Sequence, residues 1–199
     1  MSEHRRRPKR IRVGGLQETQ LADVAEADRA AVAMCQENGL GGEEMPGRAA
    51  ADIVSLTRWH NVRVAEADHH VAGYSAWRDE SPGVAYIEEM CVHPDWQRVG
   101  VGTKLMETIH EEAWEMKLKF IVLRCYEKAG WALSFYKKLG FTPIDEQAPP
   151  KVQHWKEEIV ASGRPFVAEG QIAMWAPVHE PPPSEKDEDD DEPVAEENA

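Results

Sequence analysis

The fold is decided by one stretch of the chain, Glu88-Glu-Met-Cys-Val-His-Pro-Asp-Trp-Gln-Arg-Val-Gly-Val-Gly102. Its first half continues an apolar strand pattern and its second half opens a helical pattern, with Gly100 and Gly102 at the junction. Two glycines flanking one residue let the backbone turn tightly, and the amides at the helix start can then hold a pyrophosphate. The pair lacks the third glycine of a dinucleotide fingerprint and the Lys-Ser/Thr of a P-loop, and a tight strand-to-helix turn alone would also explain it.

The residues on either side of this stretch alternate between strand and helix patterns. Strands are predicted at 11–13, 62–66, 71–78, 84–92, 120–126, 141–144 and 171–177, and helices at 20–38, 48–59, 100–118, 131–139 and 151–161. Short turns typical of antiparallel hairpins join the three strands between residues 62 and 92, and a βαβ crossover follows them. We therefore predict an α/β (α+β) fold in which a mixed, mostly antiparallel central sheet of six to seven strands carries helices on both faces.

A second motif follows about 30 residues later, in the sequence Ala132-Leu-Ser-Phe-Tyr136-Lys-Lys-Leu-Gly140-Phe141. Two motifs therefore occur together: Gln/Arg-x-x-Gly-x-Gly begins one helix, and Ala-x-x-x-Tyr-x-x-x-Gly-Phe ends the next. This combination resembles the Gcn5-related N-acetyltransferase (GNAT) superfamily. The resemblance covers residues 11–178, and the predicted order of elements is similar to that fold. It implies an N-acetyltransferase that moves an acetyl group from acetyl-CoA to a primary amine by direct attack in a ternary complex.

The resemblance also implies which residues contact the co-substrate. The backbone of Met90, Cys91 and Val92 would hold the pantetheine arm, and the pyrophosphate would lie on Gln97, Arg98, Val99, Gly100, Val101, Gly102 and Thr103. Tyr136 matches a family tyrosine near the thioester sulfur and is the candidate acid for the leaving thiolate, although a core aromatic would fit the same apolar helix face. Ala129 departs from the family pattern, which often has Asn at that position and gains a cofactor contact from it.

Glu88 is the candidate base for the acceptor amine. It matches a glutamate common on this strand in the family, and it interrupts an apolar strand in phase with Val84, Tyr86, Met90 and Val92. Glu89 is then expected on the opposite face of the sheet. A carboxylate facing a cleft, or one whose pKa is raised by burial, suits proton removal from an ammonium, directly or through water. A solvated pair of acids at the sheet edge is the alternative.

The formal net charge of −13 is unevenly distributed along the chain. Residues 180–199 hold ten acids and one lysine, residues 1–12 hold six bases and one acid, and the body between them has a net charge of −9. We predict a basic tail at 1–10, an N-acetyltransferase domain at 11–178 and an acidic tail at 179–199, because neither end can bury apolar surface. The acidic body argues against nucleic acid as a partner and suits a cationic acceptor.

The remaining sequence patterns limit which classes of protein this chain can belong to. No apolar run is long enough for a membrane span and no secretory signal is present, and the three cysteines lie far apart without metal-ligand spacing, so we expect a cytoplasmic protein that needs no metal.

The acceptor cleft is expected between the 39–47 loop and the 145–170 connection, where His154 and Trp155 are candidate contacts. A small molecule and a protein amino group both remain candidate acceptors, and a homodimer stays open. The alternatives from other classes are a catalytically weak CoA-binding regulatory or interaction module and an acidic-tailed chaperone or scaffold.

Overall fold

The computed structural model describes residues 8–40, 47–81 and 83–181. Most of the predicted basic tail, the centre of the predicted 39–47 loop and the acidic residues from 182 onward lie outside the described residues. Within these three ranges, no helix is both long enough and apolar enough to cross a membrane.

The described residues form seven strands and five helices, which follow one another in the predicted order. The strands are β1 (Ile11–Gly15), β2 (Asn61–Ala67), β3 (His70–Ser81), β4 (Val84–Val92), β5 (Phe120–Tyr126), β6 (Thr142–Pro143) and β7 (Gln171–Pro177). The helices are α1 (Leu21–Glu37), α2 (Ala50–Leu56), α3 (Val101–Glu115), α4 (Gly130–Lys138) and α5 (Pro150–Ala161). Short 3-10 turns at Glu18–Gln20 and Pro94–Trp96 precede α1 and α3.

The strands form one sheet in the order β1-β2-β3-β4-β5-β7-β6. Neighbouring strands are antiparallel except for β4 and β5, which are parallel because α3 crosses over between them. The predicted mixed, mostly antiparallel sheet is confirmed.

Helices cover both faces of the sheet, as predicted. On one face α3 and α4 pack on the apolar residues of the central strands, including Ile87 and Leu123. On the other face α1 and α2 pack near Tyr74, and α5 packs near Tyr86 through Trp155. We call the second face the α1–α2–α5 face.

Two elements are only about half as long as predicted. The helix expected at 48–59 is regular only at Ala50–Leu56, and Trp59 just beyond it is 73% exposed and adds nothing to the core. The strand expected at 141–144 has only two paired residues, Thr142–Pro143, at the edge of the sheet. Proline has no backbone N–H for a ladder, which limits such a strand to an edge.

Candidate active site

A notch opens in the middle of the sheet where β4 and β5 separate. Their parallel pairing covers residues 84–87 of β4 and 120–123 of β5 and stops there. Beyond that point β4 stays paired with β3, and β5 stays paired with β7. The backbone edge of residues 88–92 that faces β5 therefore has no strand partner, and its N–H and C=O groups can bind an extended ligand.

A β-bulge at Glu88 sets the direction of the side chains along the notch. Ile87 pairs with Trp77 and Glu89 pairs with Ala76, so Glu88 is an extra residue that the partner strand does not match. The bulge reverses the alternation, and Met90 and Val92 consequently pack toward α3 rather than in phase with Tyr86. The prediction that Glu88 is in phase with Met90 and Val92, with Glu89 on the opposite face, is therefore wrong.

Glu88 and Glu89 are both held by cations on the α1–α2–α5 face. Glu88 accepts a hydrogen bond from Arg78 Nη1 at 3.0 Å, and its carboxylate lies 3.8 Å from His60 Nε2. Glu89 forms an ion pair with Arg48, a residue just before α2. Burial raises the pKa of Glu89, and Arg48 opposes that rise. A carboxylate with a raised pKa in a cleft is a suitable proton acceptor for an ammonium group.

Behind Glu89 lies a buried polar network that joins α1, β3 and the start of α2. Asp28 is 5% exposed and accepts hydrogen bonds from the Tyr74 hydroxyl and from the backbone N–H of Arg48, both at 2.6 Å. Burial, followed by Glu89 and Asp28, raises the pKa of Tyr74 far above its ordinary range, so this tyrosine keeps its proton. The network fixes Arg48 beside the notch.

The turn before α3 presents backbone amides rather than side-chain caps. Arg98 has φ 62° and Gly100 has φ 105°, and Gly100 caps α3 in the left-handed region without a side-chain hydrogen bond. No acid lies in the first turn of α3, whereas many helices place one there to offset the dipole. The free amides and the exposed Arg98 side chain are therefore suited to an anion such as a pyrophosphate.

Gly102 serves a different purpose from Gly100. Its backbone lies outside the left-handed region, and a Cβ added there would be 3.3 Å from Cζ of Phe135 on α4. A side chain at this position would push Phe135 away from the start of α3. The second glycine of the pair thus allows α4 to approach the turn, while the first allows the turn itself.

Tyr136 belongs to the core cluster on the face covered by α3 and α4, and Met90 of the notch packs against the same cluster. Tyr136 is 7% exposed, its ring packs edge-on against Phe141, and it belongs to the same core cluster as Cys125. Burial raises the pKa of its hydroxyl above the ordinary value, with smaller contributions from Cys125 and Glu89. The hydroxyl consequently stays protonated near neutral pH, as a proton donor must.

Other predicted site residues have simpler environments. Cys91 donates a hydrogen bond to the carbonyl of Ala27, and burial raises the pKa of both Cys91 and Cys125, the latter to about 11, so neither is a ready nucleophile. Trp155 is fully buried against Tyr86, whereas His154 is exposed. Trp155 is therefore a core residue and lines no surface, which corrects the prediction that it contacts the acceptor.

Comparison with known proteins shows which family this geometry is similar to. The family model described as the acetyltransferase (GNAT) domain matches residues 58–143, which include the notch, the turn before α3 and Tyr136. Residues 58–143 are thus similar to the GNAT acetyltransferase domain. The predicted resemblance to the GNAT superfamily is thereby confirmed, and the GNAT fold supports acetyl transfer from acetyl-CoA in general.

Solved structures share this GNAT fold at low sequence identity. The ribosomal-protein-S18-alanine N-acetyltransferase from Escherichia coli has a TM-score of 0.60 at 16% identity, over 89% of this chain and 98% of its own. The PaiA N-acetyltransferase from Thermoplasma acidophilum, in complex with coenzyme A, has a TM-score of 0.63 at 14% identity. That match covers 84% of this chain and 99% of the PaiA chain. YncA from Salmonella typhimurium, with its cofactor acetyl-CoA, has a TM-score of 0.58 at 17% identity. That match covers 85% of this chain and 95% of the YncA chain. The search of curated proteins finds no match.

Sequence reasoning missed the residues that surround Glu88 and Glu89. Asp28 lies within a helical pattern, and Arg48 was predicted only as the first residue of a helix. Tyr74 and Arg124 lie in apolar strand runs, where alternation predicts a face but not a partner. Only tertiary contacts bring these four residues to the notch.

Proposed function

We propose that this GNAT protein is an N-acetyltransferase that moves the acetyl group of acetyl-CoA directly to a primary amine in a ternary complex. The observation that carries the proposal is the notch between β4 and β5, which leads into the uncapped start of α3. Residues 88–92 would bind the pantetheine arm through backbone groups that have no partner in β5. The pyrophosphate would lie on the amides of residues 97–103, with Arg98 beside it.

The reaction requires two proton transfers, and the notch offers a residue for each. The acceptor ammonium must lose a proton before its nitrogen can attack the thioester carbonyl, and we assign this step to Glu88, directly or through water. Glu89 is a second candidate, because it lies on the part of β4 that has no partner in β5 and burial raises the pKa of its carboxyl. When the C–S bond breaks, the Tyr136 hydroxyl would donate its proton to the CoA thiolate.

Positioning would supply most of the rate enhancement. A thioester is already activated, so holding a neutral amine about 3–3.5 Å from its carbonyl carbon removes much of the barrier. A backbone N–H of β4, at Met90 or a neighbour, would stabilise the oxyanion that forms.

The charge of the chain supports a cationic acceptor. The body between the tails has a net charge of −9, and Glu88 and Glu89 both lie at the notch. An acidic surface raises the local concentration of cations and speeds their association. Two classes of acceptor fit, namely small amines and the amino groups of proteins. The Escherichia coli enzyme with the same fold is named for a protein substrate, an alanine of ribosomal protein S18.

The proposal is tested by release of CoA thiol from acetyl-CoA in the presence of a panel of amines, with the products read by mass spectrometry. The panel contains diamines, amino acids, an aminoglycoside and peptides with free N-termini or lysines. We expect CoA release that depends on an amine, with one acetyl group added to that amine. Binding of acetyl-CoA without release for any acceptor would contradict the proposal and indicate a CoA-binding module.

A further inference from the structure

Arg124 differs from its neighbours in having no acid partner among the described residues. It lies on β5, and its Nε is buried without a hydrogen-bond acceptor. Nearby arginines on the α1–α2–α5 face are each paired with glutamate, namely Arg48 with Glu89, Arg78 with Glu80 and Glu88, and Arg164 with Glu80. In an acidic chain with 36 acids and 23 bases, a half-buried arginine without a carboxylate is unexpected.

The position of Arg124 places it on one lip of the notch. Pairing between β4 and β5 ends at Ile87 and Leu123, and Arg124 is the next residue of β5. Its guanidinium carbon lies 5.3 Å from the centre of the Tyr86 ring, which belongs to the α1–α2–α5 face. Glu88 is the next residue of β4, on the other lip. The two lips of the notch therefore carry opposite charges.

A second buried donor lies against the same tyrosine. Trp155 packs on Tyr86 with ring centroids 5.7 Å apart, and its Nε1 is also buried without an acceptor. Arg78, which lies over Tyr86 at 5.1 Å, is already occupied by Glu80 and Glu88. Two N–H donors cannot satisfy each other, so the surroundings of Tyr86 lack an acceptor group. Arg124 is the half-buried member of the pair and is therefore the donor that an anion could reach.

We propose that the acceptor is an amine that also carries a carboxylate, and that Arg124 binds this carboxylate while Glu88 faces the ammonium group. The inference rests on the proposed acetyl transfer and narrows its substrate class. The planar guanidinium presents paired donors that match the two oxygens of a carboxylate. The net negative charge of the body would otherwise repel the carboxylate of such a substrate, and Arg124 supplies the local positive charge that binding of this group requires.

The test compares amino acids with their carboxamides as acceptors of the acetyl group, in a reaction catalysed by the full-length protein. Glycine, β-alanine, γ-aminobutyrate and lysine vary the spacing between amine and carboxylate, and each is paired with its carboxamide. We expect the best acid to exceed its carboxamide roughly 10- to 100-fold in kcat/KM, as a charge-assisted hydrogen-bonded pair would give. A peptide pair with glutamate or glutamine after the N-terminal residue shows whether the carboxylate comes from a free amino acid or from a side chain.

Variants of Arg124 connect the preference to this residue. Arg124→Gln should lower kcat/KM for the acid far more than for the carboxamide, mainly through KM, and Arg124→Lys should restore part of the preference. Arg12→Gln is the matched control, because Arg12 is exposed on β1 at the far edge of the sheet and should leave both rates unchanged. Melting temperatures with and without acetyl-CoA establish that each variant is folded.

Two results would overturn the inference. One is equal kcat/KM for acids and carboxamides in the wild-type protein, and the other is an equal proportional loss for both in Arg124→Gln. CoA release with carboxamides or diamines would then leave the acetyl transfer standing. If no amine released CoA, the proposed function would fail. Calorimetric titration of γ-aminobutyrate into the CoA-bound wild type and Arg124→Gln would then decide the role of Arg124 by itself, since only the wild type should bind it.

Discussion

At the scale of single residues, Tyr136 gives the sharpest test of the chemistry. Tyr136→Phe keeps the ring against Phe141 and removes only the hydroxyl. If that hydroxyl protonates the CoA thiolate, kcat should fall by roughly 10²–10⁴, the usual contribution of a positioned acid or base. Steady-state rates on any accepted amine measure the change, and an acetyl-CoA titration should show nearly unchanged affinity.

The alternative for Tyr136 is a purely structural aromatic. In that case the variant would turn over at the wild-type rate, and a small change in stability would be its only effect. Wild-type turnover would leave the thiolate to be protonated by water and would remove Tyr136 from the mechanism.

Tyr74 gives a separate prediction about stability. Tyr74→Phe removes the 2.6 Å hydrogen bond to Asp28 and leaves that buried carboxylate short of a donor. The free energy of unfolding should fall by roughly 1–3 kcal/mol, the cost of a buried group left unsatisfied. Urea denaturation measures it. Tyr86→Phe is the matched control, since the Tyr86 hydroxyl makes no hydrogen bond with a described residue, and equal losses in both variants would refute the role of the network.

The residue scale is also where sequence reasoning was least reliable. The motifs predicted the notch residues and Tyr136, but strand alternation placed Glu88 and Glu89 on opposite faces. A bulge adds one residue to β4 and reverses every later side chain, and nothing in the local pattern of polar and apolar residues reveals it. The pairing of Glu89 with Arg48 likewise depends on contacts between distant segments.

At the scale of elements, the start of α3 is the feature to perturb. Gly100 has φ 105°, so any side chain strains the turn, and a glutamate adds negative charge where phosphates would bind. Gly100→Glu should abolish acetyl-CoA binding in calorimetry. Gly14→Glu adds the same charge on β1, where a Cβ meets nothing within 4 Å, and should bind normally. Undiminished binding by Gly100→Glu would contradict the proposed phosphate site.

The regular elements themselves were largely predictable from sequence. The strands at 84–92, 120–126 and 171–177 begin and end where the apolar runs and turn residues predict. The second helix and β6 were predicted too long, because local propensity extends through residues 57–59 and 141–144 whereas tertiary pairing does not. Boundaries near the sheet edge depend on partners that the local sequence does not specify.

At the scale of the whole molecule, the GNAT-like fold is one sheet with the notch near its centre. The family match covers residues 58–143, and α1 and α5 lie outside it yet pack on the strands that form the notch. The domain limits at 11 and 178, and the tails beyond them, remain predictions from composition. The acceptor is therefore expected to be selected by residues such as Arg48 and Arg124, which lie on the face that these outer helices cover.

The most direct measurement of the central claim is the initial rate of CoA release over a grid of acetyl-CoA and amine concentrations. Direct transfer in a ternary complex predicts no release without amine and reciprocal plots that intersect. The buried Cys91 and Cys125, with raised pKa values, support this expectation over an acetylated enzyme. Release that does not depend on the amine, or parallel plots with acetylated protein detected by mass, would contradict the account.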